Sequence, residues 1–129
     1  MKRDILLEYT NVYDVIGTRD TFLGAMRETV AWHCERNEFY RKLLERHGIK
    51  PDTIEKKEDD LIKLPPIHAN FFKSYESLSI PREEVVVHVT SSGTTGQKSQ
   101  MFFDQSSWDF GEMMIRRTCE ERSDEAIVR

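Results

Sequence analysis

Residues 83–108 read "EEVVVHVTSSGTTGQKSQMFFDQSSW". The first part, "EEVVVHVT", is rich in β-branched residues, which pack well on a pleated, half-buried surface, and it predicts a strand from Val85 to Thr90. Glycines and hydroxyl side chains follow, and these favour turns over continued strand. "QMFF" then predicts a second strand over Gln100–Phe103, after which Asp104 or Ser106 can cap a helix. Trp108, Phe110, Met113, Met114 and Ile115 fall on or near the buried face of that helix. Arg116, Arg117, Glu120, Glu121 and Arg122 fall outside it, Glu112 and Arg116 form an i,i+4 pair, and the tail "SDEAIVR" frays.

Upstream, the pattern is helical. Phe22, Leu23, Met26, Val30, Trp32, His33, Phe39, Tyr40, Leu43 and Leu44 recur near helical spacing, which predicts one long helix from a Thr21 N-cap to Gly48, slackened near Asn37. Arg41, Lys42, Arg46 and His47 complement the carbonyls of its last turns, and Gly48 suits a left-handed cap. Residues 1–20 predict a short helix and a turn ending at Gly17. Between Ile49 and Glu84, corners at Pro51, Pro65 with Pro66, and Pro81 divide short helices and turns that still pack through Ile54, Leu61, Ile62, Leu64, Ile67, Phe71, Phe72 and Leu78. "EKKEDD" (55–60) is a solvated face. The class is therefore α/β: a helical region over 1–83, then a strand–loop–strand–helix unit over 84–129.

A chain of 129 residues suits one domain with a hydrophobic core. Charged residues make up 33% and hydrophobic ones 38%, which separates it from disordered chains. The net charge is −4 and the cations lie among acids, so no basic stripe can neutralise a nucleic-acid backbone. The apolar run after "MKRD" stops at Leu7, too short for a signal peptide, and nothing approaches a membrane span. Cys34 and Cys119 are far apart, with no second Cys or His at zinc-ligand spacing, so no metal ligand is assigned; a reduced, cytoplasmic setting is expected. His33 beside Cys34 does not make a dyad, since adjacent helical residues point about 100° apart. Both cysteines are expected to be buried and inert.

The loop chemistry has two readings. Ser91, Ser92, Gly93, Thr94, Thr95 and Gly96 can converge backbone N–H groups on an anion, with hydroxyl donors and the Lys98 charge beside them. The same composition also makes an ordinary polar turn. Spacing removes two specific motifs. A Walker A loop needs four residues between its glycines and Lys directly after the second, whereas only two separate Gly93 from Gly96, and Gln97 precedes Lys98. A dinucleotide loop needs three glycines.

"TSSGTTGQKS" (90–99) resembles the phosphate-binding motif of adenylate-forming enzymes, the group of acyl-CoA synthetases and phenylacetate-CoA ligase. Ser91 to Gly96 match that motif, with Lys98 at its proline and Ser99 at its lysine. The "GQKS" ending is similar to the acyl-protein synthetase (LuxE) branch, associated with bacterial luminescence. "NEFYRKLLERHGIKPDTI" (37–54), "DLIKLPPIHANFFKS" (60–74) and "FDQSSWDF" (103–110) resemble further stretches of that family in the same order.

The resemblance implies an incomplete, N-terminal part of an adenylate-forming large domain, a single partial domain over 1–129. It implies ATP and Mg2+ as cofactors, a fatty acid substrate, an acyl-adenylate, and transfer to a protein cysteine with an acyl-reductase as partner. The adenine-contacting motif, the ribose-binding acid and the acyl-accepting cysteine would lie beyond Arg129, so the chain alone is expected not to complete the reaction. Ser91, Ser92, Gly93, Thr94, Thr95, Gly96 and Lys98 are the phosphate-binding candidates; no catalytic residue is assigned. His88, Phe72 and Lys73 are substrate-proximal candidates. Against these stand plainer readings, in which His88 is a core or edge residue, Phe71 and Phe72 are core, Lys73 is solvated, and His68 faces solvent. The methionines likewise read as packing before they read as an acyl pocket. An aryl- or acyl-CoA ligase of the phenylacetate type, and a non-catalytic remnant or interaction module, are the alternatives.

Overall fold

The structure is a computed structural model that describes residues 2–9, 11, 14–54, 58–92 and 96–127, with the side chains of 2, 3, 58 and 120–127 excepted. The chain is mixed helix with a small two-stranded antiparallel sheet. It divides into two compact units, Met1–His68 and Ala69–Arg129.

In the first unit, α1 (Lys2–Glu8) packs along α2 (Val15–Arg36), and α3 (Glu38–Arg46) follows after a single residue. A 3-10 turn at Pro51–Thr53 and the short α4 (Glu58–Ile62) complete the unit. The second helix starts six residues before the expected Thr21 cap. Asp14 caps it instead: its Oδ1 accepts the Gly17 N–H at 2.8 Å, and its carbonyl accepts Thr18 Oγ1 at 2.6 Å. Gly17 ends no turn but sits in the first helical turn, where a Cβ would collide with the Asp14 carboxylate. Absence of a side chain there is what lets the cap close.

The expected long helix is two helices. Asn37, at φ −118° and ψ 107°, leaves the helical region; its N–H donates to His33 O at 2.8 Å and its Oδ1 accepts the Tyr40 N–H at 2.9 Å. A side-chain carbonyl that can cap a new N-terminus competes with helix continuation, so one residue ends α2 and begins α3. Gly48 closes α3 as the sequence predicts, at φ +66°. The Ile49 N–H reaches Leu44 O and the Gly48 N–H reaches Glu45 O, each at 3.0 Å, which is the Schellman pattern.

These terminations build the core. Val30 from α2, Leu44 from α3 and Ile54 after the 3-10 turn are buried together, with Cys34, Tyr40, Ile49, Leu61 and Leu64 packed around them. Leu23 and Ala25 are also buried on α2. Neither cysteine is fully buried as expected: Cys34 is half-buried at the core margin, and Cys119 on the last helix is exposed.

In the second unit, α5 (Phe71–Ser74) and a 3-10 turn at Arg82–Glu84 precede β1 (Val87–Thr90) and β2 (Gln100–Phe103); α6 (Gln105–Ile127) follows. The first strand begins two residues later than expected. Asp104, not Ser106, caps α6: its Oδ1 accepts the Ser107 N–H at 2.7 Å and its carbonyl accepts the Trp108 N–H at 3.0 Å. The helix continues through the expected frayed tail to Ile127.

Its expected buried face is largely uncovered. Phe110 and Met113 are half-buried, but Ile115 keeps 66% of its surface and Met114 40%. Length explains this. A 23-residue helix runs about 34 Å, while a four-residue strand covers about 13 Å, so the hairpin reaches only the first turns. Among the described residues beyond Ile54, no side chain is fully buried.

Candidate functional site

The hairpin holds most of the candidates. Its register pairs Val87 with Phe103, His88 with Phe102, Val89 with Met101 and Thr90 with Gln100. Alternation along strands then places His88, Thr90, Gln100 and Phe102 on one face, and Val87, Val89, Met101 and Phe103 on the other. The second face meets α6, where the Phe103 and Trp108 rings lie edge to face at 6.0 Å.

On the first face a layered contact forms. His88 stacks on Phe102 with centroids 4.5 Å apart and planes 13° apart. The Arg82 guanidinium lies 5.7 Å from the Phe102 centroid and is ion-paired with Glu76. That pairing holds Arg82 above its ordinary pKa, through the hydrogen bond first and the carboxylate charge second. His88 is therefore not core but stands on an edge strand, the other half of its plainer reading. It is exposed, and its aromatic partner comes from the opposite strand, because the strand's other face is the one turned toward α6.

The loop begins where the ladder ends. The Ser91 N–H donates to Ser99 O at 3.0 Å, and the Ser99 N–H donates to Ser91 Oγ at 2.9 Å. Above this closure Ser92, Gly96, Gln97 and Lys98 are exposed, while Ser91 and Ser99 are half-buried. Gly96 has φ +100°, with nothing within 4 Å of where a Cβ would stand. The glycine is thus demanded by backbone conformation and not by crowding. Gly93, Thr94 and Thr95 lie outside the described residues.

Phe72 and Lys73 sit on α5, which approaches β2. Both are half-buried, so Lys73 departs from its solvated reading and Phe72 packs against Phe71, edge to face at 5.4 Å, without becoming core. Phe71 in turn stacks on Tyr75 at 5.0 Å. A four-residue helix between irregular segments offers too little neighbouring structure to bury either side chain fully. His68 is exposed, as read.

Sequence reasoning missed three participants. Ser99 was read only for the side chain it puts at the family's lysine position, yet it contributes both its backbone groups to the loop neck. Phe102 and Arg82 were not connected to His88, although placing Thr90 opposite Gln100 would have put Phe102 across from it.

Among the described residues no group of three or more His, Cys, Asp or Glu side chains comes together, and 91–99 contains no carboxylate. No family model matches the chain, and no curated protein matches it.

Proposed function

We propose that the 91–99 loop binds the phosphates of ATP, in a ligase that activates a fatty acid as its acyl-adenylate and passes the acyl group to a protein thiol. The loop's form supports this reading: an antiparallel hairpin whose neck is closed by Ser91 and Ser99, with Gly96 in the left-handed region and Lys98 exposed. A plain turn can share that form; the motif order from Asn37 to Phe110 is what favours a phosphate cradle.

The residues would act electrostatically. A fatty carboxylate oxygen forms a bond to the α-phosphorus while the bond to the leaving pyrophosphate breaks, and charge builds on the departing β- and γ-phosphates. Hydroxyl and N–H donors of Ser92, Gly93, Thr94, Thr95 and Gly96, and the Lys98 ammonium, would hold that charge. A thiolate then takes the acyl carbonyl and AMP leaves. Mg2+, brought with the nucleotide, would add charge neutralisation.

Isothermal titration of the chain with ATP and with inorganic pyrophosphate tests the loop. Binding that drops in Lys98→Ala and Thr95→Ala supports it, and equal affinity in both variants removes them from the site. Fatty-acid-dependent ATP–pyrophosphate exchange in a longer version that carries the adenine- and ribose-contacting segments tests the ligase assignment, and a preference for aryl acids would move it to the phenylacetate type.

One observation favours a second reading. Met101, Trp108, Met114 and Ile115 are exposed in a unit with no fully buried described side chain, as suits an interaction module. Pyrophosphate binding without any exchange activity in that longer version would favour that reading.

A further inference from the structure

Two hydrogen bonds join Ser91 and Ser99, and they are not equivalent. The Ser91 N–H reaches the Ser99 carbonyl, as a ladder continuing from the Thr90–Gln100 pair would have it. The return bond is different: the Ser99 N–H goes to the Ser91 hydroxyl oxygen, where a regular ladder would use the Ser91 carbonyl. A side chain has taken over a backbone position at the point where strand becomes loop. It does so at two half-buried residues, below the exposed Gly96, Gln97 and Lys98.

We propose that Ser91 is a positioning residue: its Oγ holds the Ser99 amide, keeps the loop neck shut, and so presents Lys98 and its neighbours to a di- or triphosphate as one preset surface. This rests on the phosphate-binding reading and reassigns Ser91 within it, from ligand to support. Ser99 takes part only through its N–H and carbonyl, so its own side chain is dispensable. Without the hydroxyl the Ser99 N–H loses its partner, the neck opens for part of the time, and affinity falls with the fraction of molecules that remain closed. Threonine, which keeps a hydroxyl on the same carbon, should restore the bond.

The experiment pairs pyrophosphate titration of the 129-residue chain with amide hydrogen exchange of the ligand-free protein. Ser91→Ala should weaken pyrophosphate binding by about five-fold or more. Its Ser99 amide should exchange faster while the amides of Val30, Leu44 and Ile54 keep their rates. Ser91→Thr should recover affinity and protection, and Ser99→Ala should match the wild type. Equal affinity in Ser91→Ala, an equal loss in Ser99→Ala, or faster exchange spreading to the core amides would each overturn the proposal. If the wild type binds no pyrophosphate, the phosphate-binding reading falls by itself. Exchange then decides the neck: unchanged Ser99 protection in Ser91→Ala removes the latch, and lost protection keeps it as the element that shapes the loop.

Discussion

The Tyr40 N–H donates to Asn37 Oδ1 at 2.9 Å, and that bond decides that a helical run of some thirty residues becomes two helices. Asn37 is 7% exposed, and the chain direction it sets brings Leu44 against Val30 and Ile54. Asn37→Ala removes the cap at a buried position and should cost about 1–2 kcal/mol in urea unfolding. Asn37→Asp, which keeps the acceptor, should recover part of it. Equal stability of Asn37→Ala and wild type would show that the two helices are held by packing alone.

Tyr40 carries a pH dependence. Burial raises its phenol above the ordinary value of 10.0, and the Cys34 charge adds to that. The neutral phenol is the form the fold prefers. Its contribution is therefore complete below pH 10 and lost as pH rises through the higher folded-state value. Denaturation midpoints should fall in that alkaline range, and fall less steeply in Tyr40→Phe. A phenolate absorbance titration of the two proteins should show the missing group ionising late.

The two units should respond differently to loss of apolar side chains. Leu44→Ala and Ile54→Ala, at 0% and 1% exposure, should each cost about 2–5 kcal/mol. Ile115→Ser, at 66% exposure, should change unfolding stability by no more than about 0.5 kcal/mol. A large loss at Ile115 would mean that a contact covers it in solution.

Gly48 and Gly96 are both at positive φ with open space around them, so alanine meets only backbone strain. Gly48→Ala should lower stability by about 1–2 kcal/mol, while Gly48→Asn should lose less, since Asn visits the left-handed region more readily. Gly96→Ala places the same strain in the loop. Its effect should appear in pyrophosphate affinity before it appears in the melting temperature.

Some of this is legible in the amino-acid sequence. The β-branched run and "QMFF" marked two strands, and the second came out at Gln100–Phe103 as read, because three apolar residues after Gln100, between a Gly/Ser loop and a cap, leave little freedom. Gly48 announced its cap, since the cations before it and the proline after it all oppose continuation. Asp14 was missed because its capping bond depends on a glycine three residues later, a pair that composition does not single out. The Ser91–Ser99 neck was missed because hydroxyl acceptors leave no periodic trace.

The amino-acid sequence by itself determined the kinds of element, their order and the chemistry concentrated in 91–99, because backbone preference and periodicity are local properties. Only the tertiary structure decided which faces are covered. His88 and Val89 are neighbours on one strand, yet one is exposed and the other half-buried. Met113 and Ile115 differ likewise on one helix. Burial depends on what lies opposite a residue, and in this chain that is set by where Asn37 turns the helices and how short the hairpin is against α6.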